Sequence, residues 1–69
     1  MPKPPPRTPE RITPRECEIL NQLVRGLAYK EIAAELGVSA ATVKNHLYRI
    51  YDKLSVRSRT EAAVKWLER

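Results

Sequence analysis

One cysteine and one histidine are all that the 69 residues hold of those two types. No internal disulfide can form, and the four ligands of a structural zinc site cannot be assembled. That usage suits a reducing compartment. No apolar run approaches the roughly 20 residues of a membrane span, and the basic N-terminus leads into prolines instead of the apolar segment of a signal peptide. A cytoplasmic location is expected, without membrane contact. No glycine-rich phosphate loop and no nucleophile paired with a plausible base occur, and the chain is too short to build a closed pocket. Neither catalysis nor a cofactor or metal is expected. The period-2 alternation of a strand is also missing, so the elements must be helical.

What is present is positive charge. Thirteen Lys and Arg face eight acids, a formal net charge of +5, which suits a protein that meets phosphate but does not by itself establish one. A domain this small buries only about 60% of the surface its unfolded chain exposes, so a partner subunit would help it.

Residues 1–11, MPKPPPRTPER, contain five of the six prolines together with Lys3, Arg7 and Arg11. This segment favours extended polyproline-like geometry and reads as a linker or tail, with an arm along DNA as the alternative. The remainder, 12–69, reads as one domain. Thr13 can cap a helix, Pro14 suits its first position and Glu16 completes a T-x-x-E capping box, flanked by Ile12 and Cys17 at the positions of a hydrophobic staple. This first helix turns Cys17, Leu20, Leu23, Val24 and Leu27 inward and Arg15, Glu18, Gln22 and Arg25 outward, until Gly26 permits a left-handed exit. A second helix covers 29–36, with Ile32, Ala33 and Leu36 inward, and Gly37 stops it.

After the tight connection Gly37-Val38-Ser39, Ser39 can cap a third helix over 39–54, SAATVKNHLYRIYDKL. Val43, Leu47, Ile50 and Leu54 step by four, three and four and so line one stripe. Ala41, Lys44, Asn45, Tyr48, Arg49 and Asp52 form the opposite face. A second capping box, Ser58-x-x-Glu61, opens a fourth helix over 58–67. Its apolar residues Ala62, Ala63, Val64, Trp66 and Leu67 spread over roughly 200°, twice what covering one core requires. Ala62 and Trp66 are expected in the domain's own core, and Ala63, Val64 and Leu67 against a second copy.

The fold class expected is thus all-α, a four-helix bundle containing a helix-turn-helix. In that arrangement two short helices flank a glycine-containing turn, and the second enters the major groove. On periodicity alone, a solvated bundle surface is the favoured reading of the third helix's polar face.

The order of the motifs bears on that choice. T-P-R-E-x-E-I-L at 13–20, K-E-I-A at 30–33, L-G-V-S at 36–39, T-V-K-x-H-L at 42–47, I-Y-x-K-L at 50–54 and V-R-S-R-T at 56–60 resemble, as an ordered set, the LuxR-type DNA-binding domain of NarL/FixJ-class response regulators. The resemblance spans residues 12–67. It implies a transcriptional regulator's output domain on double-stranded DNA, pairing as a homodimer over inverted half-sites, with an attached receiver domain and RNA polymerase as further partners. An excised output domain and a free-standing single domain are both compatible with the chain. The resemblance departs at Ala28-Tyr29, where the family commonly has Ser or Thr followed by Asn, and at Trp66, where it often has a small residue.

Lys44, Asn45 and Tyr48 match the family's groove-facing positions. Lysine can donate to guanine O6 and N7, asparagine can pair both groups on adenine's edge, and tyrosine can meet a phosphate or a thymine methyl. Lys30, Thr42, Arg49, Arg57 and Arg59 flank that face and are the candidates for phosphate contacts, with Arg59 alternatively bridging to Glu16 or another helix carboxylate. His46, between stripe and polar face, reads as a packed or phosphate-facing imidazole, and Cys17 as a small buried hydrophobe. A sigma-factor-like helix-turn-helix and a helical protein-interaction module remain the rival readings.

Overall fold

The computed structural model describes residues 12–68. The proline-rich tail expected over 1–11 lies outside the described residues. Four helices follow in order: α1 (Pro14–Val24), α2 (Tyr29–Leu36), α3 (Ala40–Leu54) and α4 (Arg59–Leu67). No strand occurs among the described residues. The chain is all-α, and α2, the turn and α3 form the helix-turn-helix.

Each helix starts where its capping chemistry allows. At α1 the Thr13 hydroxyl accepts the Glu16 N–H at 3.1 Å, and the Glu16 carboxylate accepts the Thr13 N–H at 2.9 Å. Two N–H groups that the first turn leaves over are thereby satisfied. Ala28 has no oxygen to offer α2, so only the return half forms there, from the Ala28 N–H to Glu31 at 2.7 Å. Ser39 accepts the Thr42 N–H at 3.1 Å. Ser58 accepts the Glu61 N–H at 3.1 Å, but the Glu61 carboxylate passes over Ser58 and takes the Arg57 N–H at 2.9 Å.

The turn between α2 and α3 depends on Gly37, at φ +71°. In that left-handed conformation Val38 donates back to the Ala33 carbonyl at 3.0 Å, a bond that closes the helix end without a Cβ penalty. α3 ends the same way on Ser55, φ +59°, with Val56 donating to Tyr51.

α1 lies against α4 and α3, and α2 lies against α3. Val43, Leu47, Ile50 and Leu54 are all buried, as their spacing requires. The buried face of α1 differs from the expected one. Ile19, Leu20 and Leu23 are fully enclosed and Glu16 is buried with them, whereas Cys17, Val24 and Leu27 are half-buried at the edge. Because α1 is shared between α3 and α4, its contact arc is turned by roughly 50° toward Ile19 and Glu16 from the stripe that Leu20 and Val24 suggest. Gln22, expected outside, is half-buried, and its carbonyl oxygen is enclosed with no hydrogen-bond partner. On α4, Ala62 and Trp66 are buried, and the indole N–H donates to Asn21 Oδ1 at 2.8 Å. That bond satisfies the one polar atom of the bulky side chain.

Candidate nucleic-acid interface

With its inner stripe sealed, α3 turns Ala41, Lys44, Asn45, Tyr48, Arg49 and Asp52 to solvent. Tyr48 is 63% exposed, one of few large hydrophobic side chains so placed. Thr42, half-buried in the first turn, has its hydroxyl 3.0 Å from that of Ser39, so both oxygens are held at the N-terminus of α3. Lys30 is exposed in the first turn of α2, the helix packed on α3, and Arg57 is exposed in the link that leaves α3. His46 is half-buried.

Arg59 is placed differently from the other cations. It is half-buried, and its Nη2 donates to the backbone carbonyls of Leu23, in the last turn of α1, and Leu27, in the link to α2. Its guanidinium carbon lies 5.5 Å from the centre of the Tyr29 ring. It does not bridge to Glu16. That carboxylate is taken by Lys53, whose Nζ is 2.8 and 2.9 Å from the two oxygens. Burial alone would raise the Glu16 carboxyl, but the Lys53 ammonium and the Thr13 hydrogen bonds outweigh it and hold the group below its ordinary value. Lys53 therefore belongs to the scaffold behind the polar face.

A further contact joins the helix-turn-helix internally. The Tyr29 and Tyr51 hydroxyls lie 3.4 Å apart, linking the start of α2 to the last turns of α3. Burial and the adjacent Tyr29 push the Tyr51 phenol well above its ordinary value, so it remains protonated. This pairing is not accessible to spacing, because its two residues are 22 positions apart. The signal available was local: Tyr29 follows Ala28, a cap position without an oxygen, and its ring can pack across the helix start instead.

A family model of bacterial regulatory proteins, luxR family, matches residues 10–66. The chain belongs to that luxR family. Among curated luxR-type relatives, the probable HTH-type transcriptional regulator GfsR of Streptomyces halstedii is 46% identical over 56 residues, 81% of this chain and 23% of that protein. The transcriptional regulatory protein LnrK of Bacillus subtilis is 51% identical over 53 residues, 77% of this chain and 24% of that one. The nitrate/nitrite response regulator protein NarP of Escherichia coli is 42% identical over 57 residues, 83% of this chain and 26% of its own length. The chain spans about a quarter of the length of these relatives. All four helices of the luxR-type unit fall inside the matched span except the last residue of α4. No helix among the described residues is long and apolar enough to cross a membrane.

Proposed function

We propose that this luxR-type chain is the sequence-specific, duplex-DNA-binding output domain of a cytoplasmic transcriptional regulator of the response-regulator kind, without catalysis, cofactor or metal. The observation that carries the reading is α3: a stripe buried without remainder on one side, and Lys44, Asn45 and Tyr48 all in solvent on the other, directly after the Gly37 turn. Those three side chains read base edges. Lys30, Thr42, Arg49 and Arg57 hold phosphates and set the register. A receiver domain controls the unit in the full regulator, and RNA polymerase is its partner at the promoter.

In vitro selection from a random duplex pool tests this reading. A two-fold symmetric motif is expected; recovery of unenriched sequence would favour a protein-interaction module, and binding only beside polymerase a sigma-factor-like role. Lys44→Ala or Asn45→Ala should weaken the selected site by about 1 to 3 kcal/mol and relax selectivity. Arg49→Ala should weaken every duplex alike and make the slope of log affinity against log salt shallower by about one. Identical selectivity and slope in both kinds of variant would refute the division of roles.

Pairing of two copies uses α4. Val64 and Leu67 are 47% and 66% exposed and Ala63 is half-buried, while the neighbouring Ala62 and Trp66 are enclosed. A shallow groove of about 440 Å³ runs beside them, lined by Val56, Thr60, Glu61, Val64, Lys65 and Glu68. One short helix offers little area, so pairing should be weak in dilute solution and complete only on adjacent half-sites. Val64→Asp with Leu67→Asp should leave the monomer folded and its binding to a single half-site intact, but abolish cooperative binding to paired half-sites. Unchanged cooperativity in a gel-shift titration would move the contact elsewhere.

A further inference from the structure

Arg59 opens α4, where a cation is badly placed for α4 itself, because the first turn carries the positive end of the helix dipole. Its guanidinium serves another helix. The Leu23 carbonyl, in the last turn of α1, and the Leu27 carbonyl, in the link to α2, both accept from Arg59 Nη2. The last turn of α1 holds no basic side chain of its own, so Arg59 supplies the missing positive charge from across the fold. The same guanidinium stands 5.5 Å from the centre of the Tyr29 ring, within cation–π range. Tyr29 begins α2, and its hydroxyl is 3.4 Å from that of Tyr51 on α3. The Tyr51 carbonyl in turn accepts the Val56 N–H that closes α3. One unbroken series of contacts therefore runs from the start of α4, past the end of α1 and the start of α2, into the last turns of α3.

We infer that Arg59, acting through Tyr29 and Tyr51, is a positioning residue that sets the angle between α2 and α3, and with it the register of the α3 polar face on DNA. It is not a phosphate contact. The second half of the inference rests on the DNA-binding reading above; the first half concerns the free chain. The geometry also says which substitutions separate the possibilities. Lysine keeps the charge that a phosphate would need, but lacks the planar fork that reaches two carbonyls and stacks on a ring. Tyr29→Phe keeps the ring beneath Arg59 and removes only the hydroxyl that faces Tyr51.

The 69-residue chain, with Arg59→Lys, Arg59→Gln, Tyr29→Phe and Arg49→Ala, would be titrated at a temperature where melting curves show every variant folded. The probes are the duplex enriched by selection and a scrambled duplex of equal composition, at several salt concentrations. Arg59→Lys and Arg59→Gln should lower the ratio of the two affinities by about tenfold, and Tyr29→Phe by about threefold, all with the parent's salt slope. Arg49→Ala should instead keep the ratio and lose about one unit of slope. If Arg59→Gln behaved like Arg49→Ala, and Arg59→Lys like the parent, Arg59 would be a phosphate contact and the inference would be overturned. A lower melting temperature with an unchanged ratio would overturn it too, leaving Arg59 a stability residue only. Residual dipolar couplings on the free chain supply the arm that needs no DNA: the angle between α2 and α3 should change in Arg59→Lys. Parent-like couplings would sink the inference whatever DNA does. Altered couplings without any enriched duplex would uphold the positioning role and place the failure in the DNA-binding reading.

Discussion

Leu47→Ala is expected to lower the unfolding free energy by about 2 to 5 kcal/mol, enough to leave much of the population unfolded at ambient temperature. Leu47 sits mid-way along α3, 1% exposed, in the same buried stripe as Val43 and Ile50. Truncation removes three carbons from a core that three other helices enclose, and the walls cannot collapse fully onto the space because α3 is held at both ends. Ser39 caps it at one end, and the bond from Val56 to Tyr51 closes it at the other. A folded unit of this size has roughly 3 to 9 kcal/mol of stability in all, so the loss is a large share. Asn45→Ala, two positions away and fully outside, should change stability by no more than about 0.5 kcal/mol. Urea titrations followed by circular dichroism give both values. Equal loss in the two variants would mean that α3 is rotated from the orientation described.

That same helix shows what the residue order makes legible. The four-three-four spacing determines which side of α3 is buried, because a helix on one core needs only one stripe, and glycine and serine at 37 and 39 mark where α2 stops and α3 begins. The polar face follows by exclusion. The contacts that orient one helix against another are not encoded in spacing. Glu16 meets Lys53 across 37 positions, Asn21 meets Trp66 across 45, and Arg59 reaches the end of α1 across more than 30. Each depends on how helices cross, so Arg59 reads in the sequence as a phosphate contact or a partner for a helix carboxylate, and in the fold it is partly enclosed against backbone carbonyls. The burial of Ile19 was hidden for a related reason: α1 packs against more than one helix, and a single-stripe reading centres its face on Leu20 alone.

The Glu16–Lys53 pair carries the other large expected effect. Glu16 is 4% exposed, and it does two things at once: one oxygen holds the Thr13 N–H, and both take the Lys53 ammonium. Lys53→Met would keep most of the aliphatic packing but leave a buried carboxylate without its counter-charge. Removing one partner of a buried pair costs about 3 to 5 kcal/mol, and the lower end applies because about a fifth of the Lys53 side chain stays in water. Adding Glu16→Gln to Lys53→Met should recover part of that loss, since the amide oxygen can still accept from Thr13 while no charge remains to be desolvated. The pH dependence follows from the sign of the shift. The Glu16 carboxyl is lowered in the fold, so its contribution is fully present above the ordinary carboxylate range and fades as pH falls through that range toward the lowered value. In Lys53→Met the burial of Glu16 is no longer outweighed by the ammonium, and protonation relieves the uncompensated charge. The stability gap between the parent and Lys53→Met should therefore be widest near neutral pH and narrow on acidification. Chemical melts of both proteins at several pH values measure it. A gap that stayed constant down to the acid limit would show that Lys53 acts through its aliphatic stem and not through Glu16.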